Sequence, residues 1–137
     1  MKAGRTLGIV GESGSGKTTI SKVIMRALKP DSGTVLFDDG TGPANVEALS
    51  GEALMRYRRQ VQFVFQDPFS SLDPRMTVLD ILREPLDVHG IGTPQQRVER
   101  VIELLGLVGL DQRALRRYPH SFSGGQRQRI GLARALA

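Results

Sequence analysis

The chain has no cysteine, few aromatic residues and no apolar run near the ~20 residues needed to span a bilayer. Without cysteine there is no disulfide framework, no cysteine zinc site and no thiol chemistry. Aromatics make up only 5% of the chain, so it has little with which to stack the bases of a single strand. The N-terminus lacks the apolar core of a signal peptide, and the composition fits the cytosol.

What is present is ordinary for a globular protein. The 137 residues make one domain at most, able to bury roughly 68% of its unfolded surface. Nineteen Lys and Arg against fourteen Asp and Glu leave a net charge of +5. The basic residues cluster at Arg56, Arg58 and Arg59, at Arg113, Arg116 and Arg117, and at Arg127, Arg129 and Arg134. Solvated faces and subunit contacts explain these clusters better than nucleic acid does, since no aromatic platform accompanies them.

Along the chain, Thr6 to Val10 is short, apolar and bounded by glycine, which predicts a buried parallel strand. Ile20, Val23, Ile24, Ala27 and Leu28 recur at helical spacing, predicting a helix over 17–28 that ends at the Lys29 to Gly33 run. A strand at 34–38, a turn at Asp39 and Gly40, a polar loop at 42–50, a short helix at 52–59 and a strand carrying Val61, Phe63 and Phe65 follow. Residues 67–74 read as loop, and 78–84 as a short helix stopped by Pro85. Thr93 caps the next helix, with Pro94 at its first position and Gln96 completing a capping box. Val98, Val101, Ile102 and Leu105 form its buried stripe, and Gly106 stops it. A last helix opens at Ser123. This alternation of strands and helices predicts an α/β fold with a helical insert between Gln66 and Phe122.

Residues 11–18 read G-E-S-G-S-G-K-T, which fills the pattern G-x-x-x-x-G-K-[ST]. Gly11, Gly14 and Gly16 let the backbone curl with its N–H groups pointing inward, and the following helix adds its positive end. Lys17 sets a compact positive charge near β- and γ-phosphates, and the Thr18 hydroxyl is placed to ligate magnesium. The predicted cradle takes in Gly11, Ser13, Gly14, Ser15, Gly16, Lys17, Thr18 and Thr19. Glu12 reads as solvent-facing. About a hundred residues later Ser123, Gly124, Gly125 and Gln126 combine a serine cap with two glycines. A helix that needed only a start would not place two glycines in its first turn, at about 1 kcal/mol each. Close approach of an anion to the helix end explains them.

These two runs resemble the nucleotide-binding domain of ABC transporters. More narrowly, the chain resembles the ATP-binding subunits of bacterial dipeptide, oligopeptide and nickel importers. That narrower likeness rests on V-F-Q-D-P-F-S-S-L-D-P-R-M-T-V at 64–78, on E-P-L at 84–86 and on Y-P-H-S-F-S-G-G-Q-R-Q-R at 118–129. The resemblance implies a P-loop NTPase of the ABC type: a partial RecA-like core at 1–66, a helical subdomain at 67–122 and a signature helix at 123–137, incomplete at both ends. It implies that Gln66 contacts magnesium and the attacking water. It implies that Ser123, Gly124, Gly125 and Gln126 are nucleotide-binding, with Ser123 and Gly125 touching the γ-phosphate held by an opposite subunit. Phe122 stands where the family more often has leucine.

The expected cofactors are ATP and Mg2+. The expected partners are a second ABC ATPase subunit, integral-membrane permease subunits and, indirectly, an extracytoplasmic solute-binding protein, at the cytoplasmic face of the bacterial inner membrane. No nucleic acid is expected. The family's Asp-Glu strand end and its later histidine are not among the 137 residues, and neither His89 nor His120 replaces that histidine by position. The run from Val35 to Asp39 mimics such a strand but precedes the signature. The expectation is therefore an ATP-binding and hydrolysing subunit for peptide import, here with little independent turnover and unpaired sheet edges that favour aggregation. Two alternatives stay open: a non-catalytic fragment that binds nucleotide and docks a permease, and an ABC-class protein acting on nucleic acid.

Overall fold

The computed structural model describes residues 4–67 and 71–137. The contacts divide it into two compact units, 1–61 and 62–137. The last helix belongs to the second.

The first unit is built around helix α1 (Lys17–Ile24), a hairpin of β1 (Leu36–Asp38) and β2 (Pro43–Asn45), and helix α2 (Gly51–Gln60). The hairpin is antiparallel, pairing Leu36 with Asn45 and Asp38 with Pro43. The Asp38 carboxylate accepts from the Gly40 and Gly42 amides and closes the turn. A short 3-10 helix, Val46–Ala48, follows, capped by Asn45. Its Val46 and the α2 residue Tyr57 are the fully buried apolar side chains of this unit among the described residues. Tyr57 sets its ring edge against Phe37, 5.1 Å away, and donates its hydroxyl to the Ile24 carbonyl.

Several sequence expectations are corrected here. No strand forms at 6–10, where Leu7 is 68% and Val10 97% exposed. None forms at 61–65 either. A strand exists through its ladder, and the one ladder among the described residues joins β1 to β2. The loop expected over 42–50 contains β2 and the 3-10 helix instead. Helix α1 ends at Ile24, short of Leu28. The Arg26 amide bonds the Val23 carbonyl and the Ala27 amide bonds the Lys22 carbonyl, a Schellman ending. Its left-handed position, φ 55°, is taken by Arg26 where glycine is usual. The apolar stripe of α1 is left uncovered, with none of its residues buried.

The second unit has a proper core. Helices α3 (Val78–Val88), α4 (Pro94–Leu107) and α5 (Gly124–Ala135) pack on one another. Val78, Ile81, Leu82 and Leu86 of α3 meet Val101, Leu104 and Leu105 of α4 and Ile130 and Ala133 of α5, with Phe122 beside them. Thr93 and Gln96 make the expected capping box.

Helix α3 does not stop at Pro85 but runs through it to Val88. A proline there removes one ladder bond, yet Leu86, 1% exposed, belongs to the core and holds the next turn in place. Helix α4 passes Gly106 and ends at Leu107. Its inner face uses Leu104, while Ile102 is 37% exposed. Arg97 and Arg83 both reach Asp87, tying α3 to α4. Desolvation raises the Asp87 pKa, but the hydrogen bonds from Arg97 and Arg83 outweigh it and hold this carboxyl below its ordinary value. Of the loop expected at 67–74, residues 68–70 lie outside the described residues.

Candidate nucleotide site

The phosphate loop is a tight, self-closed turn in the first unit. The Ser15 amide donates to the Glu12 carbonyl at 3.2 Å. Gly14 has φ 84° and Gly16 φ 91°, left-handed conformations that favour glycine. Gly11 leaves room for the Ser15 hydroxyl: a Cβ there would lie 2.7 Å from the Ser15 Oγ, which would have to rotate away.

Lys17 folds back across this turn. Its Nζ donates to the Gly11 carbonyl at 2.8 Å, the Glu12 carbonyl at 2.6 Å and the Ser15 Oγ at 3.3 Å. All three acceptors are neutral. A phosphate oxygen carries charge, and charge-assisted hydrogen bonds are roughly twice as strong as neutral ones. The backbone carbonyls of Gly11 and Glu12 are the loop members that sequence reasoning missed. Glu12 has the exposed side chain that was expected, but its main-chain oxygen closes the loop, and main-chain atoms carry no residue signature.

Gly16 is also the N-cap of α1. It offers no side-chain cap, and no acid stands in the first turn. The first helical bond runs from the Ile20 amide to the Gly16 carbonyl. The amides of Lys17, Thr18 and Thr19 therefore have no partner within the helix. Open amides, left-handed glycines and a lysine folded over the turn fit a phosphate chain.

Thr18 and Thr19 are exposed. Magnesium is commonly held by one or two side chains together with phosphate oxygens, and Thr18 fits that role beside such a chain. Among the described residues no cluster of three or more His, Asp or Glu forms a metal cage of its own. A separate cavity of about 360 Å3, lined by Val23, Arg26, Ala27 and Val46, lies at the other end of α1 and takes no part in the loop.

The remaining site residues belong to the second unit. Gln66 is exposed in a bend, following Phe63 and Phe65, whose rings meet edge to face at 4.9 Å. At the start of α5 the Ser123 Oγ accepts from the Gln126 amide at 3.3 Å, and the Gln126 Oε1 accepts from the Ser123 amide at 3.0 Å. The capping box is thus real. It leaves the serine hydroxyl proton and the Gly124 and Gly125 amides for other acceptors. Gly125 is exposed, has an ordinary φ, and a Cβ on it would meet nothing within 4 Å. The chain's own packing gives no reason for glycine there.

Phe122 is buried at 5%, and the Arg117 guanidinium sits 4.4 Å from its ring centroid. That contact engages one exposed arginine of the basic cluster with the chain itself. Tyr118 and His120 stack face to face, 7° from parallel.

The ABC transporter family matches residues 1–137. The oligopeptide transport ATP-binding protein OppF of Bacillus subtilis is 52% identical over 136 residues, covering 98% of this chain and 43% of that protein. AppF of the same organism, also an oligopeptide transport ATP-binding protein, is 50% identical over 137 residues, covering 99% and 40%. The post-hydrolysis dimer of the ATP-binding cassette MJ0796, bound to ADP and Pi, shares the fold with TM-score 0.77 and 35% identity, over 92% of this chain and 53% of that one. CbiO1 of Clostridium perfringens, part of the complex cbiONQ, does so with TM-score 0.71 and 27% identity, over 93% and 47%. The chain therefore spans about two fifths of the length of these curated relatives and about half that of these structures. Among the described residues no helix is long and apolar enough to cross a membrane.

Proposed function

Because this chain belongs to the ABC transporter family, with the fold of its P-loop ATPase cassettes, we propose that it is the phosphate-binding and signature-bearing part of an ATPase subunit driving import of peptides. The observation that carries this reading is the Lys17 ammonium folded over the glycine turn beside an uncapped helix end. ATP binds with its β- and γ-phosphates against the amides of 14–19 and Lys17. Thr18 holds magnesium, and Gln66 orients water and metal. By the family resemblance its partners are permease subunits and a second ATPase subunit, at the cytoplasmic membrane face; a dimer and a member of a transporter complex among the similar structures support the partnership.

For the 137 residues on their own we expect binding with little turnover. Gln66, the residue assigned to water, can orient it but not take up its proton, and no carboxylate among the 137 residues is assigned to that water. Calorimetry with Mg-ATP should give one site, and phosphate release should stay near background. Robust release would require a base other than those assigned here.

Gly125 supplies a second test. Since its Cβ position is empty, Gly125→Ala should stabilise the second unit by about 1 kcal/mol, raising its melting temperature by roughly 4–8 °C. In the complete dimeric subunit the same change should weaken nucleotide-dependent association, because the added methyl would stand where the partner's phosphate approaches. A destabilised chain with association intact would remove this reason for the glycine.

A further inference from the structure

A helix end that receives an anion must be aimed, and the capping box at Ser123 fixes only the local turn. The inner face of α5 offers little to fix its direction. Ile130 is the one large side chain there that is fully buried, beside Gly131 and Ala133. Small residues allow a packed helix to tilt or slide.

Two arginines supply what packing leaves open. Arg129 NH1 donates to the Val108 carbonyl at 3.0 Å and the Gly109 carbonyl at 3.1 Å. These oxygens lie at the end of α4, whose Schellman motif (Leu110 amide to Leu105 carbonyl, Gly109 amide to Gly106 carbonyl) leaves both of them for another donor. A positive charge is favoured at such a terminus. Gly109 has φ 67°, and a Cβ there would lie 3.2 Å from Arg129 NH1, so the glycine also makes room for the guanidinium. At the far end of the helix, Arg134 NH1 donates to the Ser71 carbonyl at 2.8 Å.

We propose that Arg129 is a positioning residue that aims the Gly124 and Gly125 amides by clamping the middle of α5 to the C-terminus of α4, with Arg134 as a second tether. The inference rests on the reading that these amides meet a phosphate. Gly124 and Gly125 lie five and four positions before Arg129, a lever of about 6–7.5 Å. A tilt of about 10° at the clamp moves these amides by roughly 1 Å, beyond the tolerance of about 0.5 Å for a productive site. One nitrogen makes both contacts, so a lysine can replace the arginine here, whereas a neutral glutamine cannot supply the charge.

Residual dipolar couplings of the Gly124, Gly125 and Gln126 N–H vectors, referenced to α3 and α4 in the full chain, test the clamp. Arg129→Gln should rotate these vectors by more than about 10°, and Arg129→Lys should leave them near the wild-type direction. Unchanged vectors in Arg129→Gln, or equal displacement in Arg129→Lys, would overturn the proposal. Should Arg129→Gln lose the dispersed resonances of α3 and α4, Arg134→Gln decides: rotated vectors support the tethers, unmoved vectors overturn them. The couplings need no nucleotide, so they judge the clamp even if Mg-ATP fails to shift the Gly16 and Lys17 amides, a failure that would overturn the functional reading alone.

Discussion

Lys17→Ala is expected to weaken Mg-ATP binding about 10- to 100-fold, while Arg113→Ala leaves it unchanged. The first change removes the one ammonium that the glycine turn holds inside itself. Hydrogen bonds to charged groups contribute about 1.5–3 kcal/mol, which sets that range. It also frees the Gly11 and Glu12 carbonyls, two oxygens that would then repel the entering phosphates. Arg113 is a fair control: its side chain is 93% exposed and its guanidinium pairs with Asp111 at 3.8 Å. Calorimetry on the two variants checks this directly. Equal losses would mean that general positive charge, not the loop, attracts the nucleotide.

Hydrogen exchange should divide the chain sharply at the boundary between its units. Ile81, Leu82, Leu104, Leu105 and Ile130 lie in helices and have side chains 0–1% exposed. Their amides should exchange only through opening of the whole second unit. Segment 5–10 has no ladder, and α1 buries none of its residues, so amides there should exchange through small local openings. Local and global opening differ by several kcal/mol in a typical domain, so protection should differ roughly a thousand-fold or more. Comparable protection in both units would show that something covers the apolar stripe of α1, contrary to the exposure of Ile20 and Ile24 at 46% and 39%.

The parts of this chain that were legible are those whose code is local. Thr93 with Gln96 and Ser123 with Gln126 each form a reciprocal cap within four residues, and both formed where the residues stand. The phosphate loop is similar: eight consecutive residues contain the whole turn and its lysine. Where the outcome depended on distant neighbours, the sequence misled. An apolar run at 6–10 looks the same whether or not a second strand lies beside it. Helix α1 was overrun because its left-handed ending falls on Arg26, whose side chain donates to the Leu49 carbonyl, and no glycine announces the stop. Helix α3 was cut short because the burial of Leu86 outweighs the bond that Pro85 removes. Ile102 was taken for core because it is apolar, but Val101, Leu104 and Leu105 are spaced three and four apart and claim the inner face. The carbonyl clamp of Arg129 was invisible, since the sequence shows an arginine but not the two oxygens it serves.

The central claim is that a triphosphate lodges against the inward amides of the glycine turn at the start of α1. Titrating the labelled chain with Mg-ATP and following the amide resonances of residues 11–19 tests it most directly. The account predicts saturable shifts that are largest at Gly14, Gly16, Lys17 and Thr18 and absent in Lys17→Ala. Resonances of that turn left unmoved by millimolar Mg-ATP, in a sample whose α3–α5 signals are well dispersed, would contradict it.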